Sequence, residues 1–356
     1  MTVPRQPAPM NLREVLDVPA PAIVLAEGAF GEPDGKTANG VVLHSDCFDV
    51  RVVVDSETAG RNADAVLGRP DAPAIPVVAT MDEALERAPE VTALVIGVAP
   101  AGGQLPEPWI DDIRAAMAAG CDVVSGLHVF LSEDPDWAAH AAEHGVAIHD
   151  VRKPPVAADL RVGDGRVDDV DADVVLSMGT DCAVGKRTTT YELYRAAVDR
   201  GIDAGWVASG QTGIMVGAHR GVVVDRVPAD FVAGVIEDLV VDVAAAHELV
   251  FVEGQASLHH RAYSAVTLGI LHGAWPDAVV IAHDPDRPDR EHFEQWPVDG
   301  VDAEVDAIER LAETTVAGIS TWGDPATARD AYGLPAANVF EDGGPGRLVE
   351  AVLEAL

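Results

Sequence analysis

Short apolar runs alternate with amphipathic stretches along nearly the whole chain. In the first half, "PAIVLAEG" (21–28), "VRVVVDS" (50–56), "ALVIGVA" (93–99), "CDVVSG" (121–126) and "VAIHDV" (146–151) predict strands. "MDEALERA" (81–88), "WIDDIRAAMAAG" (109–120) and "DWAAHAAEHG" (136–145) carry the helical period. Strands that alternate with helices build a parallel, doubly wound sheet, and such sheets bind ligands beyond the carboxyl ends of their strands. The segment 152–173, "RKPPVAADLRVGDGRVDDVDAD", is rich in Pro, Gly and Asp and has no sustained period. It marks a seam, so two α/β domains are expected, at 1–152 and 174–356, joined by a linker over 153–173. Beyond the seam the alternation restarts. Strands are predicted at 174–178, 204–209, 248–253, 278–283, 315–320 and 337–340, and helices at about 185–200, 228–246, 260–273, 301–313 and 344–356.

The length of 356 residues agrees with two domains. No apolar run is long enough to cross a bilayer, and the N-terminal stretch lacks a signal-peptide pattern, so a soluble, cytoplasmic protein is expected. The formal net charge is −35, with 59 acidic against 24 basic residues spread evenly. An acidic, solvated surface of this kind suits a salt-rich cytoplasm and disfavours a nucleic-acid partner. Cys47, Cys121 and Cys182 are scattered, with neither metal-site spacing nor a disulfide framework, and no metal is expected. The basic residues are almost all Arg. Lysine occurs only at Lys36, Lys153 and Lys186, which makes each of them a site candidate.

Lys186 lies in the most informative motif. The run Gly179-Thr180-Asp181-Cys182-Ala183-Val184-Gly185-Lys186-Arg187-Thr188-Thr189 follows a buried-type strand and opens a helix. That is the context of a phosphate-binding loop, in which backbone N–H groups, a helix N-terminus and a lysine receive an anion. Counted from Gly179, the spacing is one residue longer than the common Gly-x4-Gly-Lys form. Arg187 stands where a hydroxyl usually ligates magnesium, which weakens the case for ATP hydrolysis while leaving phosphate binding intact.

Other polar residues cluster at predicted strand ends. "ELVFVEGQASLHH" (248–260) offers Glu253 as metal ligand, water positioner or general base, with Gln255, Ser257 and His259 behind it. "ASGQTGIMVGAHRG" (208–221) offers Gln211, Thr212 and Arg220, and "IAHDPDRP" (281–288) offers His283 and Arg287. The first half contributes Lys36 and Thr37, the loop 97–109, His128, and at the seam Asp150, Arg152 and Lys153.

The loop is similar to that of dethiobiotin synthetase, whose motif runs Gly-Thr-Asp-Thr-x-Val-Gly-Lys. The match covers about a dozen residues and implies, as one alternative, an ATP-dependent ligase or kinase using ATP with Mg. Across nearly the full chain, "GKTANG", "GLHVFL", "DVRKPP", "GTDCAVGKRTT", "SGQTGIM" and "VEGQASLHH" in this order resemble a two-domain P-loop family with a Rossmann-like N-terminal domain. That family was long catalogued as of unknown function. Some of its members look like D-glutamate N-acetyltransferases, and the acidic composition suits a halophilic member.

The resemblance implies a Rossmann-like domain followed by a P-loop NTPase-like domain, both with mainly parallel sheets. It also implies an acetyltransferase that uses acetyl-CoA and D-glutamate. The loop residues 179–189 would then hold the phosphates of coenzyme A. Glu253 is the first candidate for the base that deprotonates the substrate ammonium and His259 the second, with Gln255 as a donor to the thioester oxygen. Lys36, Arg152, Lys153, Gln211, Thr212, Arg220 and Arg287 are the candidates for the amino acid. Cys182 is either an acetylated nucleophile, its thiol acidified by the helix N-terminus, or a small residue lining the loop. A homo-oligomer is expected, as for many large α/β enzymes.

Overall fold

The computed structural model describes residues 11–70, 72–100 and 103–356. The first ten residues, where no signal-peptide pattern was read, lie outside the described residues, as do two positions of the 97–109 loop. The chain forms two compact units. One holds the described residues up to Pro154 together with Gln211–Gly217, and the other holds Pro155–Gly210 and Ala218–Leu356.

The first unit is built on six parallel strands: β1 (Ala20–Leu25), β2 (Phe48–Val54), β3 (Val77–Val78), β4 (Ala93–Ile96), β5 (Asp122–Ser125) and β6 (Ile148–Asp150). Their order is β3-β2-β1-β4-β5-β6, that of a doubly wound sheet whose two halves meet at β1 and β4. Strands covered on both faces read as continuous apolar runs, and β4 is buried at all four positions. Helix Pro135–His144 shows how local chemistry sets an element's ends. Asp134 accepts the backbone N–H of Asp136 and Trp137, Pro135 opens the first turn, and Gly145 closes it in the left-handed region at φ 69°.

The helix Lys36–His44 was not anticipated, because Gly40 breaks its period. That glycine is required by packing: a Cβ at position 40 would lie 3.2 Å from Thr212 Cγ2. Thr212 belongs to helix Gln211–Val216, which the strand pattern had left as a loop. This helix comes from the second half of the chain but packs within the first unit. Ser45 Oγ donates to the Met215 carbonyl (2.9 Å), Asp46 N donates to that of Val216 (2.8 Å), and Arg13 Nη2 donates to that of Gly217 (3.0 Å).

The second unit has a seven-stranded parallel sheet. Its strands are β7 (Asp173–Gly179), β8 (Ala204–Ala208), β9 (Arg220–Gly221), β10 (Leu249–Glu253), β11 (Ala278–His283), β14 (Thr315–Thr321) and β15 (Ala336–Ala337). Their order is β15-β14-β11-β7-β10-β8-β9, which puts β7 between β10 and β11 at the centre. Between β11 and β14 the chain inserts an antiparallel hairpin, β12 (Asp289–Arg290) and β13 (Phe293–Pro297), that strand–helix alternation did not predict. Helix Pro325–Tyr332 was also unanticipated; it buries only Ala328, too little to leave an apolar stripe. The core packs Leu176, Met178, Val250, Val252, Val279 and Ile281 against Ile236, Leu239, Val240, Ile270 and Leu271 of helices Val232–Ala244 and Ser264–Ala274. Among the described residues, no helix is long and apolar enough to cross a membrane.

Candidate anion site and its proton acceptor

The central strand β7 ends at Gly179, and helix Lys186–Asp199 begins seven residues later. The loop between them turns through positive φ at Ala183 (51°) and Gly185 (98°), a conformation that directs successive N–H groups inward. Gly179 is required by space, since a Cβ there would sit 2.9 Å from Val184 Cγ2 and 3.0 Å from the Ala282 carbonyl. Lys186 is buried, and its Nζ donates to the carbonyl of Asp181 inside the loop. Burial pulls its pKa down to about 8, against the opposing pull of Cys182, Asp181, Glu253 and Glu304. Arg187 is also shifted downward by burial, with Glu253 opposing. The Thr180 hydroxyl meets His283 Nδ1 at 3.1 Å, and Thr189 Oγ1 donates to Ser320 Oγ at 2.8 Å. Thr190 bonds back to the Lys186 carbonyl (2.9 Å), and Thr188 is half-buried at the helix start.

Asp181 is the buried anchor of this loop. Its carboxylate accepts the backbone N–H of Glu291 (2.8 Å), and Arg290 Nη1 lies 3.4 Å from its other oxygen. Arg290 is 2% exposed and also donates to the Thr180 carbonyl (3.3 Å), Ser257 Oγ (2.9 Å) and Asp299 (2.5 Å). Nothing in the hairpin's sequence distinguishes Arg290 from the neighbouring Arg287; only the fold brings it under the loop. Arg287 donates to the Cys182 carbonyl (2.8 Å) and pairs with Glu291 (2.8 Å).

Ligand atoms of Asp181, Cys182 and His260 fall within 4.8 Å of one another, a spacing that could suit a cation. However, His260 Nδ1 accepts the N–H of Ala262 (3.3 Å). That places the ring proton on Nε2, which faces Asp181 at 3.7 Å. The same carboxylate also faces the Arg290 guanidinium.

The thiol of Cys182 does not behave as a helix-terminus nucleophile. The residue sits four positions before the helix, and burial raises its pKa, with Lys186 opposing and Asp181 adding to the rise. A shift in this direction works against the nucleophilic reading of Cys182 and agrees with the loop-lining one.

Glu253 closes β10, beside Ser177 of β7. It is buried and accepts the N–H of Ser209 at 3.1 Å. Burial raises its pKa to about 7, against Arg187, Lys186 and the N–H groups of Ser209 and Gly210. A carboxylate poised near neutral pH next to two cations is suited to accept a proton. Gln255 Nε2 donates to Ser209 Oγ (2.8 Å) and so braces the same turn. His259 has a partner that the sequence did not reveal: its Nδ1 lies 2.9 Å from Glu304 Oε1. Glu304 is buried in the first turn of helix Val301–Leu311 and also accepts the N–H groups of Leu258 (3.0 Å) and His259 (3.2 Å). The carboxylate fixes the imidazole, as in other carboxylate–histidine pairs.

The second unit therefore brings together residues 179–189, Glu253, Gln255, His259 and Arg287, and adds Arg290, Ser209 and Glu304. Arg220 lies elsewhere, on the edge strand β9, paired with Asp242 (3.3 Å). The remaining candidates lie in the first unit. Thr212 shares a 2.7 Å hydrogen bond with Thr37, and Arg152 donates to Gln211 Oε1 at 2.8 Å. Lys153 pairs with Glu133 (3.0 Å), and Lys36 is exposed at the start of its helix.

Residues 161–349 match a family model described as a domain of unknown function, the DUF1611 C-terminal P-loop domain. Residues 56–154 match its N-terminal counterpart, a Rossmann-like domain. The chain belongs to the DUF1611 family. A crystal structure of a DUF1611 family protein from Anabaena variabilis ATCC 29413 is 30% identical, with a TM-score of 0.84 over 94% of this chain and 99% of that one. A protein of Tritonibacter scottomollicae named D-glutamate N-acetyltransferase is 36% identical over 288 residues, 77% of this chain and 84% of that protein. A protein of the same name from Pseudoalteromonas sp. is 38% identical over 189 residues, 53% of this chain and 55% of its own length. As a DUF1611 protein, the chain has a Rossmann-like N-terminal and a P-loop C-terminal domain, as its sequence implied.

Proposed function

We propose that this protein is an acyltransferase that moves the acetyl group of acetyl-CoA to the amine of D-glutamate. One observation carries the reading: the buried carboxylate of Glu253 closes β10 beside β7, the strand that runs into the anion loop carrying Lys186 and Arg187. The names of the two relatives support it. In this reading the loop N–H groups, Lys186 and Arg187 hold the pyrophosphate of coenzyme A, and the residue after Lys186 serves an anion instead of a metal. Glu253 takes a proton from the substrate ammonium. The freed amine attacks the thioester carbonyl, and the C–S bond breaks as the N–C bond is completed. The coenzyme leaves as a thiolate, which takes up the second proton that the nitrogen sheds as it becomes an amide. Hydrogen-bond donors near Gln255 stabilise the oxygen while it carries charge. Arg287, which donates to the Cys182 carbonyl of the loop, is proposed for one of the amino acid's carboxylates.

A second reading, an ATP-dependent ligase or kinase with Mg, rests on the local likeness of the loop and on the Thr188 hydroxyl at the helix start. Calorimetric titration with acetyl-CoA, CoA, ATP and ATP–Mg separates the two. Binding of acetyl-CoA with thiol release on adding D-glutamate supports acetyl transfer. Magnesium-dependent ATP binding without CoA binding sinks it.

A further inference from the structure

Two aromatic residues are more exposed than their size favours, in a chain with only 5% aromatic content: Trp322 at 41% and Phe340 at 56%. They touch edge to face, with ring centroids 6.3 Å apart and planes at 65°. Both belong to the carboxyl ends of neighbouring parallel strands. Trp322 follows β14, and Phe340 follows β15 at the turn before helix Gly344–Ala355. Trp322 is held at the loop end of the sheet, because its N–H donates to the carbonyl of His283 (3.0 Å), whose ring contacts Thr180 of the loop. Its indole also lies on the loop glycine: a Cβ at Gly185 would be 2.8 Å from Trp322 Nε1 and 3.3 Å from Cε2. One edge of the ring therefore borders the N-terminus of helix Lys186–Asp199, and much of the ring remains open.

We propose that Trp322 and Phe340 form a stacking platform for the purine base of the nucleotide whose phosphates occupy the loop. The proposal deepens the acetyl-CoA reading, in which that base is the adenine of coenzyme A. An exposed aromatic face next to an anion cradle, bordered edge-on by a second ring, is the complement of a base joined through ribose to phosphates. Stacking on an aromatic face needs no charge, so it works in a strongly acidic protein where a cationic base contact is scarce. Arg187 and Lys186 meet the phosphates, and the platform meets the ring.

The test uses the full-length protein, with Trp322→Ala and Phe340→Ala compared with wild type by calorimetry. The ligands are CoA, ATP and two fragments without a base, 4′-phosphopantetheine and inorganic triphosphate. Either variant is expected to weaken the adenine ligand that wild type binds by at least about tenfold for Trp322→Ala and severalfold for Phe340→Ala, with fragment affinities unchanged. Trp322→Phe is expected to recover most of the affinity. Equal affinity of Trp322→Ala and wild type for the adenine ligand overturns the platform. An equal loss for the base-free fragments also overturns it, because the indole would then act by shaping the loop. Phe340 is exposed enough that its removal leaves the core intact, so the second variant stands if the first fails to fold. If wild type binds ATP but not CoA, the acetyl-transfer reading fails while the platform is judged on ATP.

Discussion

Arg290 Nη1 lies 3.4 Å from Asp181 Oδ1, and both side chains are almost wholly shut off from solvent. The pair ties the hairpin after β11 to the anion loop after β7. Removing Arg290 leaves the buried Asp181 carboxylate with the Glu291 N–H and the Arg287 guanidinium 3.7 Å away, and leaves Asp299 without its partner, a loss approaching the about 3–5 kcal/mol of a broken buried pair. Arg290→Met is therefore expected to lower thermal stability sharply, and combining it with Asp181→Asn should recover part of the loss. Thermal unfolding of the single and double variants checks this; additive losses would show that the two residues do not form a unit.

Lys186 supplies the full charge of the loop. A charge-assisted hydrogen bond contributes roughly 1.5–3 kcal/mol, so Lys186→Ala should raise the Kd for the phosphate ligand at least about tenfold. Because burial lowers its pKa to about 8, ligand affinity should decline as the pH is raised through and beyond that value. Titrations at several pH values check both points, and a flat profile in wild type would mean that the lysine stays charged.

Glu253 must be ionised to accept a proton, so turnover should rise with pH through about 7. Glu253→Gln should lose that limb and lower kcat about 100-fold or more while leaving coenzyme affinity nearly unchanged. The sign for stability is opposite. The folded-state pKa lies above the ordinary 4.5, so the native state binds the extra proton between 4.5 and about 7, and this contribution is lost as pH rises through that window. Stability curves of wild type and Glu253→Gln should run together below about pH 4.5, diverge between there and about 7, and stay apart above it, with the variant the more stable.

Cys182 has its thiol pushed toward the protonated form by burial. Cys182→Ser is expected to keep turnover within a few-fold of wild type, and no acetylated cysteine should be trapped on mixing with acetyl-CoA. Rapid-quench mass spectrometry reads both outcomes, and a trapped thioester would restore the nucleophile.

Lys153 pairs with Glu133 on a partly exposed surface, where the pair itself contributes little stability. Lys153→Ala should leave the melting temperature nearly unchanged, and a fall of several degrees would show that the pair contributes more than an exposed ion pair usually does.

Local patterns in the sequence carried much of the architecture. A parallel strand covered on both faces must be a continuous apolar run, so β1, β4, β7, β10 and β11 stood out directly. The anion loop stood out for the same reason: strand, glycine turn, lysine and helix are consecutive, and their geometry follows from neighbours in the chain. Helix Lys36–His44 was obscured because Gly40 is chosen for a contact with Thr212, far away in sequence, instead of for helix propensity.

Tertiary structure decided the rest. Residues 211–217 join the first unit because Ser45, Asp46 and Arg13 satisfy the carbonyls at the end of that helix, a pairing that no local period encodes. The partners of the candidate site, Arg290 for Asp181, Glu304 for His259 and Trp322 for Gly185, lie tens to more than a hundred residues away in sequence. Each looks ordinary in its own segment. The burial that moves Glu253 and Lys186 toward neutral pH is a property of the packed sheet and its loops, so it arises only when the chain is folded.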